Sequence, residues 1–214
     1  SRYFGVPDIC AFALREAPGG AGPSDSYGEN RLAKLKLIFD PFSEPGTLQR
    51  LGASAIRIYQ DQGPDAVTAP LPKDVMSGVG PSLRLISATR SAPPPPQKML
   101  TAGVLVTARD GALRFGHEEW FFFFCAHGLL DAVIEGDVTA VERRPYINQI
   151  HQYLQAIAVG QKRADAVRVL RAWLVNKAGV TDGKPIARNF AAYVLGMLNA
   201  IEAQEDLAQV ISED

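Results

Sequence analysis

The chain has 214 residues, 47% of them hydrophobic and 21% charged, with a formal net charge of −1. That length buries a sizeable core without disulfide staples, as one compact domain with two sub-regions, and the composition excludes extensive disorder. A charge so close to zero excludes a global field drawing the chain to polyphosphate or to an acidic membrane, so any nucleic-acid contact has to be local.

Cys10 and Cys125 stand 115 positions apart without CxxC or zinc-finger spacing, which gives neither a disulfide framework nor a structural metal site. No stretch reaches the roughly 18 apolar residues that span a bilayer. The expectation is a soluble chain without membrane insertion, cytoplasmic or held within an assembled particle.

In chain order, Arg2, Tyr3 and Phe4 form an aromatic arm ahead of a short helix over 7–17, with Pro7 in its first turn and Ile9, Phe12 and Ala13 on one face. Residues 33–39 alternate with the period of a half-buried strand, 47–51 suit one helical turn, and 55–60 alternate again as a second strand. A Pro- and Gly-rich loop covers 61–80 and a third strand 82–89. The prolines at 93–96 are a stiff extended connector, since they cannot donate to a sheet ladder.

Residues 99–108 read as a strand, Arg109, Asp110 and Gly111 supply turn chemistry, and 112–115 return as the second arm of a hairpin. The run Trp120, Phe121, Phe122, Phe123, Phe124, Cys125 cannot rest in water alone and belongs to a core or an interface. Aromatic enrichment suits a central strand. The acids Glu118 and Glu119 ahead of it point instead to a buried helix over 117–126, with Gly128 breaking the pattern and a helical turn or two continuing over 129–135. Three helices follow. Ile147, Ile150, Leu154 and Ile157 mark the first, closed by Gly160. Ala166, Val167, Leu170, Trp173 and Leu174 mark the second, over 164–177. Phe190, Val194, Met197, Leu198 and Ile201 face inward on the third, which starts at Pro185 and extends to 201 or 211.

Chemistry-bearing groups gather at His117, Glu118, Glu119, Cys125 and His127. Imidazole, thiolate and carboxylate are the ligand types of zinc or iron, but the second His at i+4 that would put two imidazoles on one helical face is absent. Cys125 with His127 or His151 is the one nucleophile–base candidate. A thiol directly after four phenylalanines reads first as a small core residue. The glycines at 78 and 80 resemble a phosphate loop only in number, and Pro81 removes an amide such a loop needs. No catalytic residue, cofactor or metal is expected.

The charge layout says more. Between 143 and 188 the basic residues are Arg143, Arg144, Lys162, Arg163, Arg168, Arg171, Lys177, Lys184 and Arg188, against Asp165 and Asp182 alone. Residues 189–214 then carry only acids: Glu202, Glu205, Asp206, Glu213 and Asp214. A basic helical band holds phosphates in one use. In another it meets the acidic block of a neighbouring copy. A solvated face balanced within the monomer competes with both.

These readings combine into an α+β fold: a β-rich, loop-rich region over 1–116 and a helical region over 117–214 around a shared aromatic core. The leading functional expectation is a non-enzymatic, self-assembling structural protein of coat, matrix or nucleocapsid type, in its most concrete form viral, whose partners are other copies of itself. Tyr3, Phe4, Glu202, Glu205 and Asp206 are its candidate assembly residues. The first alternative is a nucleic-acid-binding module using Arg143, Arg144, Lys162, Arg163, Arg168 and Arg171. The second is a small enzyme built on the cluster from His117 to His127.

Overall fold

The computed structural model describes residues 46–73, 75 and 97–213. The expected helix over 7–17, the strands over 33–39 and 82–89, the proline connector, and Tyr3 and Phe4 all lie outside the described residues. What is described is dominated by helices, with one two-stranded sheet.

Helix α1 (Thr47–Gln62) replaces the strand expected over 55–60. Ile56 and Ile58 alternate, which is the strand signal. The same segment carries Leu51, Ala55, Ile58 and Tyr59 at helical spacing, and these are the side chains that are buried. Gly63, at φ +95°, ends the helix with its amide on the Tyr59 carbonyl. A 3-10 turn (Pro64–Thr68) follows.

The expected strand from 99 is a short helix at first, α2 (Gln97–Thr101), and becomes extended only at β1 (Leu105–Thr107). β1 pairs antiparallel with β2 (Leu113–Phe115) in the register Leu105 to Phe115 and Thr107 to Leu113. Asp110 shapes the turn: its Oδ1 accepts the Ala112 amide at 3.0 Å and its Oδ2 pairs with Arg114 at 2.7 Å.

Helix α3 (Glu118–Glu135) carries the whole aromatic run. His117 caps it, with Nδ1 accepting the Glu119 amide at 3.2 Å, and Glu118 and Glu119 complement the positive end of the helix dipole. Residues 120–126, Leu129, Leu130, Ala132 and Val133 are buried against α1, α5 (Asn148–Ile157) and α6 (Gly160–Leu174), which leaves polar residues only at the helix ends and at His127 and Asp131. Gly128 does not break it. A Cβ at Gly128 would stand 2.3 Å from the Gly52 carbonyl oxygen, and one at Gly52 would stand 2.7 Å from the Gly128 amide nitrogen. Two glycines facing each other let the α1 and α3 backbones touch.

Aromatic rings fill the space around α3. Tyr59 stacks on Tyr146 at 4.8 Å, Phe115 on Phe124 at 5.4 Å, and Phe123 meets Trp120 and Tyr153 edge to face. The Tyr59 hydroxyl donates to the Pro145 carbonyl and accepts the Ile147 amide, both at 3.1 Å, which fixes the entry to α5. The Tyr146 hydroxyl, leading in from the short helix α4 (Thr139–Glu142), donates to the Ala140 carbonyl at 2.7 Å. Burial pushes both phenols above their usual titration range.

Gly160 opens α6 rather than only closing α5. After α6, a turn held by Asn176 and Thr181 reverses the chain. The Thr181 hydroxyl donates to the Trp173 carbonyl at 3.0 Å, and Asn176 Oδ1 accepts the Thr181 amide at 2.8 Å. Helix α7 (Pro185–Met197) then packs back against α6, with Phe190 near Trp173. Among the described residues no helix is long and apolar enough to cross a membrane.

Candidate interaction surface

The expected continuation of α7 to residue 201 does not occur, because the chain closes the helix at Leu198. The Asn199 amide bonds the Gly196 carbonyl and the Ala200 amide the Leu195 carbonyl, each at 3.0 Å. This is the paired-bond helix ending that needs a left-handed residue, and Asn199 supplies it at φ +47°. The turn directs a 3-10 segment (Ile201–Ala203) and helix α8 (Gln204–Glu213) back along α6. Ile201, expected to face inward, is therefore 74% exposed, while Ala200 and Ala203 take the buried positions.

Charge holds this arm on α6. Arg163 Nη1 pairs with Glu202 at 2.9 Å, and its Nη2 donates to the Leu198 carbonyl at 3.2 Å, adding a cation to a helix end that carries partial negative charge. Arg171 Nε pairs with Asp206 at 2.5 Å. The bond to Asp206 holds the Arg171 guanidinium above its ordinary value, and the Glu202 carboxyl lies below its own through its own backbone amide and then Arg163. On the α5 side, Gln155 Nε2 donates to the Met197 carbonyl at 3.0 Å.

Two exposed apolar residues flank that seam. Val159, one turn before Arg163, is 57% exposed, and Ile201 adjoins Glu202, the partner of Arg163.

Three more of the basic residues are drawn into pairs as well. Arg143 meets Asp61 across the gap to α1, Lys162 meets Asp131 at 3.3 Å, and Arg168 lies 3.7 Å from Asp165. Arg144 is half-buried, and its carbonyl accepts Gln60 Nε2 at 2.8 Å. Five of the six candidate phosphate-binding cations thus face a carboxylate of the same chain. Of the candidate assembly acids, Glu202 and Asp206 are the partners just named and Glu205 is exposed beside them.

The cluster from His117 to His127 is taken apart by the helix that carries it. His117 is the cap and Glu119 accepts from the Tyr153 hydroxyl. His127 lies edge-on to Phe123 at 4.7 Å. Cys125 is fully buried, and burial pushes its thiol well up, away from the thiolate a nucleophile needs. Among the described residues no three His, Cys, Asp or Glu side chains gather as a metal site. His151 is buried between Phe190 and Tyr193, with Nε2 lacking a partner among the described residues, and burial lowers its pKa to about 4.

A cleft of about 460 Å³ opens between α1 and α4, lined by Arg57, Gln60, Asp61, Asp137, Thr139 and Arg143 among others. Asp137 Oδ1 is spent on the Thr139 amide and hydroxyl, and Asp61 on Arg143. Its walls carry as many acids as cations. Periodicity gives no hint of it, because it is made by residues of 53–61 meeting residues of 137–143.

No protein-family model, no curated protein and no solved structure matches this chain.

Proposed function

We propose that this chain is a non-enzymatic structural subunit that associates with further copies of itself, of coat, matrix or nucleocapsid type. One observation carries the reading: among the described residues Ile201 is the most exposed large apolar side chain, and it adjoins Glu202, whose partner Arg163 lies one turn from exposed Val159. Single exposed apolar residues are ordinary on protein surfaces. Two of them beside paired charges have the composition of a small interface, apolar at its centre and polar at its rim.

The nucleic-acid reading has less behind it. Phosphate contacts need cations with free valence, and Lys162, Arg163 and Arg171 already engage carboxylates.

The test is solution mass by light scattering behind a sizing column, with the 260/280 nm absorbance ratio recorded at low and high salt. Species larger than 23.1 kDa, reduced by Ile201→Asp or Val159→Asp, support the proposal. A monomer at every concentration overturns it. Bound nucleic acid that is lost in the Arg168→Glu, Arg171→Glu double variant moves the assignment to the alternative.

A further inference from the structure

We propose that the arm formed by residues 201–213 exchanges between two copies, the Glu202 and Asp206 of one copy pairing with the Arg163 and Arg171 of the other. The inference rests on the self-association reading and names its partner and contact surfaces.

Three features of the arm lead there. First, the ion pairs that hold it on its own α6 are wet. The side chains of the Arg163–Glu202 pair are 32% and 42% exposed and those of Arg171–Asp206 42% and 21% exposed, and exposed pairs of this kind contribute little and are screened by salt. Second, little apolar surface opposes release. Within 201–210 only Ala203 is fully covered, with Leu207 and Val210 half-buried and Ile201 open to solvent. Third, the arm leaves α7 through one residue in the left-handed region, Asn199 at φ +47°. Asparagine is among the few residues that visit the left-handed region as well as the extended one, so a rotation there redirects the arm without unfolding α7.

An exchanged arm remakes each contact that it leaves. The α6 of the second copy offers the same Arg163 and Arg171 at the same spacing, and the two-fold relation makes the contact self-complementary. What the pair adds is the contact where the two connections cross, and the proposal places there Ile201, two residues after Asn199, and Val159, both exposed in the closed monomer. A short connection between a stable body and a weakly held element is the arrangement from which such swaps arise.

Complementary charge reversal tests this. One variant carries Arg163→Glu and Arg171→Glu, so that its α6 repels its own acidic arm. The other carries Glu202→Lys and Asp206→Lys, so that its basic arm repels its own α6. Each alone is expected to remain a folded monomer. Mixed, they are expected to form a one-to-one pair, because each arm is attracted only by the other chain. A mixture of folded variants that stays monomeric overturns the exchange. Should either variant fail to fold, the second measurement decides. Chains carrying Arg171→Cys are mixed with chains carrying Asp206→Cys, both with Cys10→Ser, and treated with a short bismaleimide; buried Cys125 does not compete. A covalent product of twice the chain mass is expected, and its absence at concentrations where the unmodified chain self-associates overturns the exchange. Wild-type association that is lost in Ile201→Asp while neither test gives a mixed pair leaves self-association standing and removes the arm from it. A wild type that stays monomeric overturns both.

Discussion

Replacing Gly128 by Ala isolates the contact on which the helical core depends. An added Cβ would lie 2.3 Å from the Gly52 carbonyl oxygen and 2.4 Å from its carbon, whereas ordinary contact begins near 3.4 Å. Both neighbours are backbone, so no side chain can rotate away and α1 has to retreat from α3 by about 1 Å. Such forced expansion costs about 1–3 kcal/mol directly. The retreat also loosens Leu51, Ala55 and Tyr59 against α3, forfeiting dispersion contacts along the seam. Helix propensity acts the other way, since Ala in a helix interior is favoured over Gly by about 1 kcal/mol. The net expectation is a loss of about 2 kcal/mol, or about 4–8 °C in Tm for a chain of this size. Urea denaturation read by tryptophan fluorescence measures it. Gly196→Ala is the control: its added Cβ meets nothing within 4 Å, so propensity alone acts and stability rises by about 0.5–1 kcal/mol. If Gly128→Ala stabilises as Gly196→Ala does, the close crossing of α1 and α3 is refuted.

Further expectations follow from the same structure. His151, with a folded pKa of about 4 against an ordinary 6.5, stays neutral in the fold while the unfolded chain takes up a proton below about 6.5. Stability is therefore complete above that value and falls as the pH drops toward 4, by at most about 2 kcal/mol at pH 5, because the half-exposed Tyr193 beside the ring leaves it partly hydrated. His151→Leu is expected to flatten the slope of stability between pH 5 and 7, and an unchanged slope rules His151 out as its source. With Cys10 replaced by Ser, Cys125 is expected to resist a thiol reagent in the folded protein and to react on unfolding; rapid labelling of the native chain contradicts its burial. Thr181→Val removes a hydroxyl that bonds the Trp173 carbonyl in a buried turn, and a loss of about 1–2 kcal/mol in chemical denaturation is expected; a neutral change shows that the turn does not need it.

The legible parts of the fold are those whose signal is local. The acids at 118 and 119 ahead of an apolar run announce α3, and Asp110 with Gly111 announces the hairpin, because capping and turn chemistry act over a few residues. Segment 55–60 misleads because Ile56 and Ile58 fit a strand while Leu51, Ala55 and Tyr59 fit a helix. The helical face is the one buried against α3, where Gly52 stands opposite Gly128, 76 positions away in sequence. The candidate surface divides in the same way. The opposite signs of the 143–188 and 189–214 blocks are visible from composition. That Asn199 turns the second block back onto the first, exposing Ile201, depends on a backbone conformation that the apolar periodicity through Met197 and Leu198 conceals.

The energetic balance of arm exchange places the burden on Ile201 and Val159. Contacts between arm and α6 occur once per chain whether the arm is closed or exchanged, so they cancel, ion pairs included. Association itself costs about 4–15 kcal/mol in lost translational and rotational freedom. Full burial of a Val or Ile side chain returns about 1.5–3 kcal/mol, so four such side chains in a two-fold pair return about 6–12 kcal/mol at most, reduced in proportion to what is already covered at 57% and 74% exposure. Scaled to that exposure the return is about 4–8 kcal/mol, which meets the association cost only at its low end, so the pair is weak, concentration-dependent and sensitive to one side chain. Ile201→Asp removes the larger share of the gain in both copies while leaving Arg163–Glu202 and Arg171–Asp206 intact, so on this reasoning it abolishes the pair without releasing the arm.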